Sequence, residues 1–264
     1  MNIVRLVPAA PLDAVVAMLW WCRRIEPYMA CEHLLPSGSA QLVIALHEQP
    51  ISWANAGSDH WHRWTGGIVH GPQSTYYRAG PKPAGTIMGV AFRPGAAGAL
   101  LGVPATELLD RHVSLEDLWG NGARELQERL ALSPDANSAL RLLEQALRAR
   151  LMPLRMHPAI VHALRANHVQ PIELLREQTG YSHRHFVALF RSTAGLAPKH
   201  FFRIRRFSEA VHLLAQQKMS LVDLAAQMNY ADQAHFTREF RELCGVPPTA
   251  YRATAPDSPH HHVA

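Results

Sequence analysis

The segment His185–Pro198 returns fifty residues later as His235–Pro248, with His, Phe, Phe, Arg, Gly and Pro identical at six of the fourteen positions. Such an offset is too short for two whole domains and too long for a solenoid unit, so it describes a small helical motif used twice. In the first copy Pro171 suits a first helical turn, Ile172 and Leu175 supply a buried face, and Gly180 provides the positive φ of a sharp turn. Ser182 then caps a second helix, whose Phe186, Leu189 and Phe190 fall at i, i+3 and i+4. In the second copy Ser220 and Asp223 form a capping box ahead of Leu221, Leu224 and Met228. Asn229 takes the turn, Asp232 caps the next helix, and Phe236, Phe240 and Leu243 make its apolar stripe. Aromatic residues at this spacing read as core rather than as stacking platforms, and His185 and His235 as residues that cap or pack beside their turns.

Between the copies, Lys199 to Gln217 reads as one long helix. It is apolar at Phe202, Ile204, Phe207, Ala210, Val211 and Leu214 and basic at Lys199, Arg203, Arg205 and Arg206. At 1.5 Å per residue such a rod can separate the motifs by ~25 to 30 Å. Successive major grooves on one face of DNA lie ~34 Å apart. The charge agrees with that geometry. From Leu154 onward there are 13 basic and 8 acidic residues, against 13 of each before it, so the whole net charge of +5 sits in the part that holds the repeat. A neutral half joined to a basic half predicts two tasks, the basic one directed at a polyanion.

The N-terminal region reads as mixed. Leu12 to Arg24 is helix-like, while Ala40 to His47 and Thr86 to Phe92 are strand-like runs separated by Gly66-Gly67, Gly71-Pro72 and Gly80-Pro81 turns. Helices return after Gly95, with Ser114 and Asp117 as a capping box and Ser133-Pro134 opening a helix that carries Leu140, Leu143 and Leu147. Pro153 to Pro158 is the expected hinge. The apolar run Ala14 to Cys22 is far short of a membrane span, and its flanking charges do not suit a secretory signal, which predicts a cytoplasmic protein. Three scattered cysteines, Cys22, Cys31 and Cys244, fit a reducing compartment. Cys22, Cys31, Glu32, His33 and His47 could ligate a metal, but no short paired spacing is present, so no metal or cofactor is expected. Trp20, Trp21, Trp53, Trp61 and Trp64 are candidates to line an apolar effector pocket, with core packing as the alternative. The tail with His260-His261-His262 reads as disordered.

The stretch from about Pro158 to Arg252 resembles the DNA-binding domain of the AraC family of bacterial transcription regulators. Its most specific parts are Asp223-Leu224-Ala225, Ala231 through Phe240, and the ending Gly245-Val246-Pro247-Pro248-Thr249-Ala250-Tyr251-Arg252. The N-terminal region is similar to a sensor-type module of unassigned function, through Leu34-Leu35-Pro36-Ser37-Gly38, Gly71-Pro72, Gly89 to Ala97 and Leu101-Gly102-Val103-Pro104. The resemblance implies base-reading roles for Gln233, Ala234, Thr237 and Arg238 in the second motif. In the first motif it implies Arg184, beside Val187 and Ala188. The chemistry agrees: Gln can pair with adenine, Arg with guanine, and Thr or Ala can touch a thymine methyl. Ser182, His183, Lys199 and Arg203 are placed to hold phosphates, which sets register. Two positions depart from the family pattern. Arg176 stands where a small residue is usual and must reach solvent or part the helices; Asn229 stands where Gly is usual.

These readings predict an α+β protein: a strand-rich sensor or dimerisation module with helices over residues 1–152, then an all-α double helix-turn-helix domain over residues 158–254. The expected function is a non-enzymatic regulator that binds double-stranded DNA in adjacent major grooves. A small-molecule effector, RNA polymerase and a second copy of the chain are its candidate partners, and no membrane is involved. The alternative is a DNA-binding domain fused to a metal- or redox-responsive module or an alkyl-transfer module that uses Cys22 or Cys31 as nucleophile.

Overall fold

The computed structural model describes residues 1–166, 171–216, 219–254 and 261–263. Gln217, the expected end of the bridging helix, and His260 of the tail therefore lie outside the described residues.

In the N-terminal region the strands are β1 (Asn2–Leu6), β2 (Val16–Arg24), β3 (Glu32–Leu34), β4 (Gln41–Ala45) and β5 (Ile51–Asn55). They continue as β6 (His62–Trp64), β7 (Gly67–His70), β8 (Tyr77–Ala79), β9 (Gly85–Phe92) and β10 (His112–Ser114). A last strand, β11 (His261–Val263), returns from the far end of the chain. Two sheets result, one six-stranded in the order β1-β2-β9-β4-β7-β10 and one five-stranded in the order β11-β3-β8-β5-β6. Neighbouring strands are antiparallel.

Two expectations are corrected here. The helix-like run after Leu12 is a short 3-10 turn, Leu12–Ala14, followed by strand β2. An apolar run fits either period, and the bulky Val16, Trp20 and Trp21 favour the pleated one. The tail read as disordered places its last described residues against β3, with His262 opposite His33.

Side chains of the six-stranded sheet alternate between two faces, as a period of two requires. Leu19, Leu42, Ile44, Val69, Met88 and Val90 enter a core shared with the helices α1 (Gly98–Leu101), α2 (Ala105–Leu108), α3 (Leu115–Trp119), α4 (Asn121–Ala131) and α5 (Ala136–Arg150). Helix α5 starts after Asp135, not at Ser133: the Asp135 carboxylate accepts from the Asn137 and Ser138 amides at 2.9 and 3.0 Å. The opposite face of the sheet carries Trp20, Cys22, Val43, His70 and Ile87 and looks onto the second sheet across a cavity.

The C-terminal module is helical: α6 (Pro158–Arg165), α7 (Ile172–Glu177), α8 (His183–Ala194), α9 (Pro198–Gln216), α10 (Leu221–Gln227), α11 (Gln233–Cys244) and α12 (Pro248–Thr254). A second core holds it together, formed by fully buried Phe186, Phe190, Phe201, Phe207, Phe236, Phe240 and Tyr251 among smaller apolar residues. Leu35, from the strand-rich module, is buried in this same core.

Candidate nucleic-acid interface

Each motif is built as its caps dictate. The Ser182 hydroxyl accepts from the His185 amide at 3.3 Å, and the Asp232 carboxylate accepts from the His235 amide at 2.6 Å, so α8 and α11 begin at equivalent positions. Ser220 accepts from the Asp223 amide at 3.1 Å and starts α10. Asn229 holds the second turn at φ 55°, a left-handed value that Asn tolerates better than most residues. Each histidine of the repeat lies edge-on to a tyrosine of its turn, His185 to Tyr181 and His235 to Tyr230. Arg176 reaches outward. Its guanidinium donates to the Tyr181 carbonyl at 3.3 Å and to Glu177 at 3.2 Å.

The buried stripes turn the remaining faces outward. Arg184 and Ala188 on α8 are exposed, as are Gln233, Ala234 and Arg238 on α11; Thr237 is half-buried and its hydroxyl donates to the Gln233 carbonyl at 2.8 Å. Ser182 and His183 are exposed at the start of α8, where free backbone amides and the helix dipole favour an anion. Lys199 is exposed at the start of α9.

Arg203 does not stand with this set. Its guanidinium is paired with Glu239 at 2.9 Å and with Glu242, which together raise its pKa, the hydrogen bond it donates to Glu242 contributing most. Arg206 donates to both Glu239 oxygens at 2.9 Å and lies over the Tyr230 ring, and Arg205 lies over Phe201. Glu239 also accepts from the Tyr230 hydroxyl at 2.6 Å. Arg203 and Arg206 thus bind α11, and Arg205 lies against its own helix. A signal for this was present in the repeat, because Glu239 interrupts the apolar stripe where the first copy has Leu189.

In the strand-rich module, both sheets wall a cavity with about 800 Å³ of empty space, counted to its open mouth. Of the five expected tryptophans, Trp20, Trp53 and Trp64 line it. Trp21 faces the helical core instead, and Trp61 lies under the Arg78 guanidinium. Trp20 rests flat on the neighbouring strand at Gly89, where a Cβ would come within 2.1 Å of the indole. His47 Nδ1 and Trp64 Nε1 are buried on this wall without a protein partner. Cys22 also faces the cavity, but burial pushes its thiol pKa up, which opposes the nucleophile reading. Among the described residues, no group of three His, Cys, Asp or Glu is placed to hold a metal ion, and no helix is long and apolar enough to cross a membrane.

At the cavity wall, His70 Nδ1 and His112 Nδ1 share a hydrogen bond of 2.5 Å. Burial pushes the His112 pKa down to about 4, assisted by the charge of His62, and pushes that of His70 well below its ordinary value. The folded chain therefore refuses protons that the unfolded chain accepts. Stability of this module is expected to fall as pH drops from about 6.5 towards 4 and to be unaffected by these groups above that window. Urea titrations followed by tryptophan fluorescence at pH 7 and pH 5 check this, and equal midpoints would contradict it.

Residues 175–254 match a helix-turn-helix domain family, and residues 4–114 match a domain of unknown function, DUF6597. The probable transcription factor PqrA of Proteus vulgaris is 31% identical over 97 residues, 36% of this chain and 80% of that protein. An HTH-type transcriptional regulator of Haemophilus influenzae is 29% identical over 116 residues, 42% of this chain and 38% of that protein. Other curated relatives are likewise covered over well under two thirds of their length. Among solved structures, ToxT of Vibrio cholerae aligns with 90% of this chain and 99% of its own at 7% identity, with a TM-score of 0.48.

Proposed function

Because the chain belongs to the AraC family of transcription regulators, we propose that residues 158–254 bind double-stranded DNA and that residues 1–152 control that binding. The observation that carries the reading is the repeat itself. Two helix-turn-helix units share caps at Ser182 and Asp232 and turn exposed polar residues away from one aromatic core. Arg184, Gln233, Ala234, Thr237 and Arg238 read bases, while Ser182, His183 and Lys199 hold phosphates. Arg203, bound to two carboxylates, acts as a brace between α9 and α11.

Two substitutions separate these roles. Arg238→Ala is expected to relax specificity at one base pair by about 1 to 3 kcal/mol. Lys199→Ala is expected to weaken all sequences alike and to lower the salt slope by about 1. Fluorescence anisotropy against a panel of operator variants measures both, and parallel losses across the panel for the two variants would refute the assignment.

The cavity supports control by a small molecule. An apolar ligand with a hydrogen-bond acceptor would satisfy the Trp64 indole N–H and lie against the three indoles. A ligand at a hundred times its Kd stabilises the folded module by about 2.7 kcal/mol. Thermal shifts against a metabolite library, with indole fluorescence as the second readout, test this reading. In the same scheme the regulator works in the cytoplasm, with RNA polymerase and a second copy of the chain as its protein partners.

A further inference from the structure

The two modules meet at equivalent places on the repeat. Gly195 and Gly245 end the two reading helices α8 and α11 with φ of 82° and 85°. Both press against the strand-rich module. A Cβ on Gly195 would stand 2.8 Å from the Ala105 carbonyl oxygen of α2, and one on Gly245 would stand 2.7 Å from the Tyr76 ring and 2.8 Å from His33. Only glycine combines that backbone conformation with so close an approach.

The elements touching these glycines are tied to each other. Helix α2 packs on α8. Two residues past its end, Asp110 adopts φ 54° and turns its carboxylate onto the loop between β7 and β8. It accepts from the Ser74 amide at 2.6 Å and from the Ser74 hydroxyl at 2.8 Å. Backbone bonds reinforce the join: Gly71 donates to the Arg111 carbonyl at 2.9 Å, and Asp110 to that of Pro72 at 3.0 Å. The same loop grips α9 and the second motif. Ser74 presents its carbonyl to His200 at 3.0 Å, Thr75 donates to the Glu242 carbonyl at 3.0 Å, and Tyr76 stacks on His33. His33 in turn donates to the Cys244 carbonyl at 2.8 Å.

We propose that α2, Asp110 and the loop 71–76 form one bracket that seats both reading helices by their C-terminal glycines, with Asp110 as the positioning residue that joins its two arms. The bracket limits how far α8 and α11 can shift relative to each other, so it sets the spacing of DNA half-sites that the chain accepts. This last consequence rests on the DNA-binding reading above; the bracket itself does not.

Two measurements on the full chain decide the matter. Asp110→Gly removes the carboxylate and tolerates the left-handed φ, Asp110→Asn restores an acceptor, and Ser74→Ala removes only the hydroxyl bond. In hydrogen–deuterium exchange, Asp110→Gly is expected to speed exchange at the last turns of both α8 and α11, about tenfold or more, and Asp110→Asn to reverse most of it. Acceleration at neither helix, or at only one, would overturn the bracket. The second measurement uses a duplex selected from a random library by the wild-type chain. Two base pairs inserted between its half-sites should weaken wild-type binding by about 10²-fold, as expected when rigid geometry forbids simultaneous engagement, and should weaken Asp110→Gly by only about threefold. An equal penalty for both proteins would remove the spacing role. If the wild-type chain selects no duplex at all, the DNA-binding reading fails, and the exchange data still judge the bracket.

Discussion

Alanine at Glu239 is expected to destabilise the helical module by about 3 to 5 kcal/mol, the usual cost of removing one partner from a buried ion pair. The Glu239 side chain is only 7% exposed and binds Arg203, Arg206 and Tyr230 together. Its loss leaves Arg206 without the carboxylate it now binds and takes the acceptor from the Tyr230 hydroxyl, while Arg203 keeps Glu242. Removing the opposing group as well should reverse much of the damage. Glu239→Leu combined with Arg206→Met places apolar surface where the first copy of the motif already has Leu189, and such exchanges are often neutral. Urea denaturation followed by helical circular dichroism gives both numbers. A loss below about 1 kcal/mol for Glu239→Ala would mean that water replaces the lost carboxylate.

Phe190→Ala and Phe240→Ala are expected to cost about 3 to 5 kcal/mol each, the range for truncating a buried phenylalanine. The two residues hold the same place in the repeat, and both are completely buried. Phe190 packs on Phe186 and Phe201 with ring centroids 6.0 and 5.4 Å away. Phe240 packs on Phe207, Phe236 and Tyr251 at 5.2 to 5.6 Å. Similar costs for both would show that each copy of the motif supports the same core. A cheap Phe190→Ala beside an expensive Phe240→Ala would show that the first motif is only loosely attached, and denaturation of the two single variants distinguishes these results.

Much of the helical module was legible because its determinants are local. Caps at Ser182, Ser220 and Asp232, turn residues at Gly180 and Asn229, and stripes of phenylalanine each declare themselves within a few neighbours. The strand-rich module is less legible for the opposite reason. Whether Val16 to Arg24 coils or extends depends on partners such as β9, more than sixty residues away, and short apolar runs suit both periods. The exposure of the residues proposed to read bases followed from the stripes, since whatever a stripe does not bury must face out. The pairing of Arg203 was not legible, because basic residues on a helix announce charge but not the carboxylates that await them on another element. Asp110 gave no signal at all, since its importance comes from long-range pairing with Ser74.

The contact of Trp20 with Gly89 fixes one wall of the cavity between the sheets. The volume of the chamber is set on one side by a backbone position that has no side chain, so a single added methyl would lever the indole into the space it now borders. Under the proposed ligand role, selectivity for what enters can therefore change in one step, with the helical core on the opposite face of the sheet left as it is.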